Sequence, residues 1–143
     1  MNKDLHNNIE IDTILHPIGI AATAVYTDID LAGFNSAELV IDIGLDAALT
    51  SEANWTFKLE DSDDGTTYAV VTDVDMLGVT GIVTGLILDI NSTTLDNTIY
   101  HYGYVGGKRY LQLTVTEAGT ALTGPMCIMI IKGHPLDAPP IAA

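Results

Sequence analysis

Hydrophobic positions in this chain recur at every second residue, the spacing of strands that bury one face. In the cleanest run, 38–43, Leu39, Ile41 and Ile43 fall on one face and Glu38, Val40 and Asp42 on the other, and Gly44 ends it. A second run sets Trp55, Phe57 and Leu59 against Thr56, Lys58 and Glu60 and predicts a half-buried strand with an aromatic inner face. Ile9 and Ile11, alternating with Glu10 and Asp12, predict a first strand through about Leu15, closed by His16-Pro17. Residues 18–26 are small, apolar and β-permissive and predict the next strand; 27–36, with Asp28, Asp30 and Gly33, predict a long loop crossing the fold. Segment 66–71 is expected to return from an acidic turn, and 79–83 and 86–90 to form short strands around Thr84-Gly85. Residues 126–131 are apolar throughout, which predicts a strand buried on both faces or lying in an interface.

The densest patterning lies at 100–115, which holds four of the six tyrosines and two of only five basic residues. Tyr100, Tyr102 and Tyr104 alternate onto one face, and Leu111, Leu113 and Val115 alternate against Gln112 and Thr114. Gly106-Gly107 is expected to take the positive φ of a tight hairpin, so that the two halves pair. Short strands, frequent loops and no amphipathic helix predict an all-β fold, an antiparallel β-sandwich of jelly-roll-like form. The expectation is a single domain over 1–143. A flexible N-terminal arm covers about 1–8. An extended Pro-rich tail covers about 134–143, because His134-Pro135 is not expected to continue a sheet.

Composition narrows the function. The chain has 143 residues, 48% of them apolar, and a mean hydropathy of +0.30, which is globular rather than disordered. No apolar run approaches the ~18 to 20 residues of a membrane helix, and 1–10 lacks the apolar core of a secretory signal. A soluble product made and kept in the cytoplasm is expected, with no membrane partner. A net charge of −14, from five Lys and Arg against 19 Asp and Glu, leaves no basic footprint for nucleic acid. Such a surface favours a basic partner or cations.

The search for chemistry turns up no catalytic, cofactor or metal site. Residues 102–109 resemble a phosphate loop only superficially: Tyr102 stands where the motif needs Gly, and Arg109 where it needs Ser or Thr. Placing Glu60, Ser62 and Asp64 at the first ligand positions of an EF-hand puts Gly65 correctly, but Val71 then occupies the place of the bidentate Glu. The acidic turn 60–65 therefore reads as a solvated hairpin turn. An irregular oxygen site from Asp61, Asp63, Asp64, Asp73 and Asp75 is the lesser alternative. His6, His16, His101 and His134 lack metal-ligand spacing, and the single Cys127 reads as a small buried apolar side chain. There is no nucleophile elbow. The reading is of a non-enzyme.

Three segments together carry a resemblance: 30–39 (Asp-Leu-Ala-Gly-Phe-Asn-Ser-Ala-Glu-Leu), 59–65 (Leu-Glu-Asp-Ser-Asp-Asp-Gly) and 104–110 (Tyr-Val-Gly-Gly-Lys-Arg-Tyr). In this order, over about 15–135, the chain resembles small all-β proteins encoded among the head genes of tailed bacteriophages, which include capsid cement or decoration proteins. The resemblance implies a structural virion protein on the capsid exterior, bound to the major capsid protein and itself a dimer or trimer. Lys108 and Arg109 are then expected either to anchor an internal carboxylate pair or to meet the partner. Tyr100, Tyr102, Tyr104 and the tail prolines Pro139 and Pro140 are further candidate contacts. Two other readings stand beside it. One is a low-copy tail, neck or fibre-base component; the other is a carbohydrate-binding module in which the three tyrosines stack on sugar rings.

Overall fold

A computed structural model of the chain describes residues 4–119 and 122–137. After one 3-10 turn at His6–Asn8 come ten strands: β1 Ile9–Gly19, β2 Ala24–Asp30, β3 Phe34–Ile43, β4 Asn54–Ser62 and β5 Ala69–Val70. They continue with β6 Met76–Leu77, β7 Leu86–Ile90, β8 Thr98–Tyr104, β9 Tyr110–Ala118 and β10 Pro125–Pro135. Sheet I has the order β1-β10-β3-β8-β6, and sheet II the order β2-β9-β4-β5, with β7 also on β4. All pairings are antiparallel. The chain crosses from one sheet to the other at each step from β1 to β4 and again from β7 to β10, the winding of a jelly roll. The all-β sandwich expected from the alternation is therefore present.

The alternation decides what faces inward. Leu39, Ile41 and Ile43 of β3 and Ile128 and Ile130 of β10 meet Trp55, Phe57 and Leu59 of β4 and Leu111, Leu113 and Val115 of β9, all essentially without solvent exposure. Burying a side chain of this size is worth about 1.5–3 kcal/mol, which makes this shared inner layer the main source of stability.

Several expectations need correction. The tyrosine stretch is not a hairpin: β8 pairs with β3 and β6 in sheet I, and β9 with β2 and β4 in sheet II. Both halves have an apolar face to bury, and crossing the sandwich lets Tyr102 and Tyr104 face the leucines of β9 across the core. Neither Gly106 nor Gly107 takes a positive φ. Gly106 is needed for space, because a Cβ there would lie 2.4 Å from the Tyr104 hydroxyl.

Segment 27–36 is no long loop. β2 runs through Asp30 and β3 begins at Phe34, leaving a tight turn in which Phe34 N–H donates to Leu31 C=O at 3.1 Å and Gly33 has φ +87°. β1 does not stop at His16-Pro17 but continues to Gly19, and a separate β2 starts only at Ala24. β1 is an edge strand, where proline costs no ladder bond, and register shifts at Thr13/Leu15 and Leu15/Ile18 absorb the irregularity. Residues 79–83 form no strand. Instead the Asp73 carboxylate accepts the N–H groups of Gly81 and Ile82 at 2.9 and 2.7 Å and holds them as a loop. Only Ala69–Val70 of 66–71 pairs as a strand. His134 and Pro135 do continue a sheet: β10 pairs to Pro135↔Phe34, and Leu136 N–H donates to Gly33 C=O at 2.8 Å. Pro139 and Pro140 lie outside the described residues.

Candidate functional site

The two cations singled out in the sequence are tied down inside the molecule. Arg109 grips Asp30 with two parallel bonds, Nε to Oδ1 at 2.9 Å and Nη2 to Oδ2 at 2.7 Å, and lies over the Tyr110 ring at 4.8 Å. The guanidinium holds the Asp30 carboxyl below the usual carboxylate range. Lys108 Nζ lies 3.3 Å from the buried Asp61, whose other oxygen accepts the Tyr104 hydroxyl at 2.9 Å. Burial first, and then that hydrogen bond, push the Tyr104 phenol well above its ordinary value. Each of the two cations thus has an internal carboxylate, Asp61 for Lys108 and Asp30 for Arg109.

Tyr102 and Tyr104 are buried, and the half-buried Tyr100 donates its hydroxyl to Leu95 C=O at 2.7 Å. All three point into the sandwich and give no sugar platform. The outer side of β8 carries Ile99 and His101, both exposed, and the buried Gly103.

A third cation escaped the sequence reading. Lys132 is 5% exposed and forms ion pairs with Glu10 and, at 2.7 Å, with Asp12, while its Nζ lies 5.0 Å from the centre of the Phe34 ring. Burial opposes its charge, but the bonds to Asp12 and Glu10 outweigh that and raise its pKa. The signal was available: Met126, Ile128, Ile130 and Lys132 share one parity, and so do Glu10 and Asp12 across the β1–β10 register. β1 thus points its acids inward and Ile11 outward, the reverse of the usual polarity. An edge strand with inward charges resists pairing with stray strands. These groups line an open cleft of about 1060 Å³ between β1 and β2, in which each carboxylate of Glu10, Asp12 and Asp30 already has a cation.

The acids named as a possible oxygen site are dispersed over separate tasks. Asp61 faces inward. The Asp64 carboxylate accepts the N–H groups of Thr66 and Thr67, both at 2.8 Å, and is held far below its ordinary pKa by Thr67 and then Thr66. Asp73 closes the loop at Gly81, and Asp75 accepts Thr72 N–H at 2.9 Å. Among the described residues no group of three or more His, Cys, Asp or Glu is arranged to hold a metal ion.

What remains is the outer face of sheet I. Its register places Ile11, Ile131, Glu38, Gly103 and Leu77 in one row, and Thr13, Met129, Val40 and His101 in the next. A third row holds Cys127, Asp42 and Ile99. Ile11, Leu77 and Ile99 are 54%, 57% and 60% exposed. The 126–131 run, expected to be buried on both faces or to lie in an interface, buries Met126, Ile128 and Ile130 and leaves Cys127, Met129 and Ile131 on this outer face.

No family model matches the chain, and no curated protein matches it by sequence. Among solved structures, the fold is similar to that of the SPBc2 prophage-derived protein YomS, with a TM-score of 0.53 at 12% identity. The match covers 94% of this chain and 100% of that one. At that identity the likeness speaks for a shared fold.

Proposed function

We propose that this chain is a structural virion protein that binds and stabilises the capsid lattice of a tailed bacteriophage from the outside, without catalysis. The observation that carries the reading is the outer face of sheet I, where Ile11, Leu77 and Ile99 are exposed and Val40, Cys127, Met129 and Ile131 lie half-buried among them. A soluble protein keeps such a face when another surface covers it. Three further features support the reading: the head-gene resemblance of 30–39, 59–65 and 104–110, a fold shared with a prophage-derived protein, and a net charge of −14 that repels DNA. The major capsid protein is the proposed partner.

Quantitative mass spectrometry of purified particles from the source tests this. Copy numbers comparable with the capsid subunit are expected. A few copies per particle would move the chain to a tail, neck or vertex, and absence from particles would end the virion reading.

A further inference from the structure

We infer that the outer face of sheet I docks onto a different protein whose apolar contact surface is rimmed by Lys and Arg, and not onto a second copy of this chain. This rests on the capsid reading above and specifies the chemistry that the capsid surface must present.

Charge complementarity carries the argument. The acids of the face are the Glu38 and Asp42 carboxylates of β3, in its first and last rows on either side of Val40; Glu38 already bonds His101 Nδ1 at 2.6 Å, and Asp42 is exposed. Two copies face to face would bring these acids together, and among the described residues no Lys or Arg stands on the face to separate them. Of its five Lys and Arg, Lys3 lies outside the described residues, and the other four (Lys58, Lys108, Arg109 and Lys132) are all committed to ion pairs with the chain's own acids. An apolar partner with basic side chains at its margin both covers the aliphatic rows and neutralises Glu38 and Asp42.

A repeating lattice suits such a face, because neighbouring contacts raise the effective concentration of each one.

The test uses the full chain and capsid shells of the source particle assembled without it. Cys127 stands on the face and is the chain's single cysteine, so its rate of maleimide labelling reports coverage without any mutation. Shell binding is expected to slow labelling by about tenfold or more, as expected for a residue at an interface centre from which water is excluded. In co-sedimentation, Val40→Glu and Met129→Glu are each expected to weaken binding roughly tenfold or more, and Thr114→Glu on sheet II to change it by less than about twofold. Binding of the wild type is expected to fall between 50 and 500 mM NaCl by about fivefold or more, and Asp42→Asn to flatten that dependence.

Unchanged Cys127 labelling on shells that bind the protein overturns the docking face and leaves the capsid reading standing. Salt-independent binding overturns the basic rim. A dimer in sedimentation velocity that Val40→Glu dissolves shows that a second copy is the occupant and overturns the inference. Failure of the wild type to bind shells overturns the capsid reading and the inference with it.

Discussion

The two sheets share one core and differ on their backs. On the central strands of sheet II, the outward side chains of β4 and β9 are Thr56, Lys58, Glu60, Gln112, Thr114 and Thr116. They bond to one another, Lys58 Nζ to Glu60 at 2.8 Å and Gln112 Nε2 to Glu60 at 3.2 Å. On the central strands of sheet I the equivalent positions are Cys127, Met129, Ile131, Glu38, Val40 and Asp42. An antiparallel sheet facing water needs apolar residues on one side only, and the central strands of sheet II follow that rule, its exposed Val25, Val70 and Leu86 lying on the flanking strands. Sheet I is built like a strand layer with something on both sides. The departure is what the proposed docking face rests on, since the core requires nothing of an outward-facing methionine.

The strongest way to break this comparison is to show that the inner faces, not the outer ones, differ. Ile41→Ala on sheet I and Phe57→Ala on sheet II should each cost about 3–4 kcal/mol in urea unfolding, because both side chains are fully buried in the same layer. A loss below about 1 kcal/mol at either site would mean that this sheet is not packed on the other. Next in size is the clamp on β1. Lys132→Met leaves Glu10 and Asp12 without their cation and should cost about 2–3 kcal/mol, less than a wholly buried pair because Asp12 is half exposed. Hydrogen exchange should rise first in β1, the edge of sheet I. A uniform rise across both sheets would contradict the clamp. Gly106→Ala drives a methyl into the Tyr104 hydroxyl and should cost about 1–2 kcal/mol by displacing its bond to Asp61.

Much of this architecture was legible in the chain. The 38–43 and 55–60 alternations gave β3 and β4 with their inner faces correct, because period two is a local property and both strands are central. The tyrosine stretch was misread for a physical reason. Alternation followed by glycines looks the same whether the chain folds back within a sheet or arches to the other one, and the choice is made by distant partners such as Asp61. Likewise Glu10 and Asp12 looked like the solvent side of a strand until Lys132 was placed opposite them. The outer face of sheet I was half legible: the apolar run 126–131 posed the alternative of burial or interface, while Ile11, Val40, Leu77 and Ile99 come from four other strands that only the sheet order assembles.

Electrostatic stabilisation divides unevenly between the sheets and predicts a pH profile. Asp30, Asp64 and Asp73 lie at the ends of, or just after, sheet II strands, and hydrogen bonds hold all three below their unfolded pKa of about 3.9. A carboxylate depressed in the folded state contributes stability above the unfolded value and loses it as pH falls through the folded one. Lys132 and Tyr104 are raised, so their contribution is complete below about pH 10 and disappears above it. The melting temperature should therefore be flat between about pH 5 and 9 and fall on either side. Asp30→Asn should lower the plateau and reduce the acid slope together. A lowered plateau with an unchanged slope would remove the Asp30–Arg109 pair as a source of acid sensitivity.

The smallest effect on stability is the sharpest test of the comparison. Val and Thr have nearly the same shape, so Val40→Thr on sheet I and Thr114→Val on sheet II exchange one methyl and one hydroxyl between the two backs without reshaping the core. Each should change unfolding stability by no more than about 0.5–1 kcal/mol, since both side chains point away from the buried layer. Their surface behaviour should diverge. On a hydrophobic-interaction column Val40→Thr is expected to elute earlier than wild type, because it interrupts the row joining Met129 to His101 at the centre of an aliphatic surface. Thr114→Val adds one methyl between Lys58 and the exposed Val25 and should move retention less. Equal and opposite shifts would mean that the two backs present the same kind of surface to a ligand, and the asymmetry on which the docking argument stands would be gone.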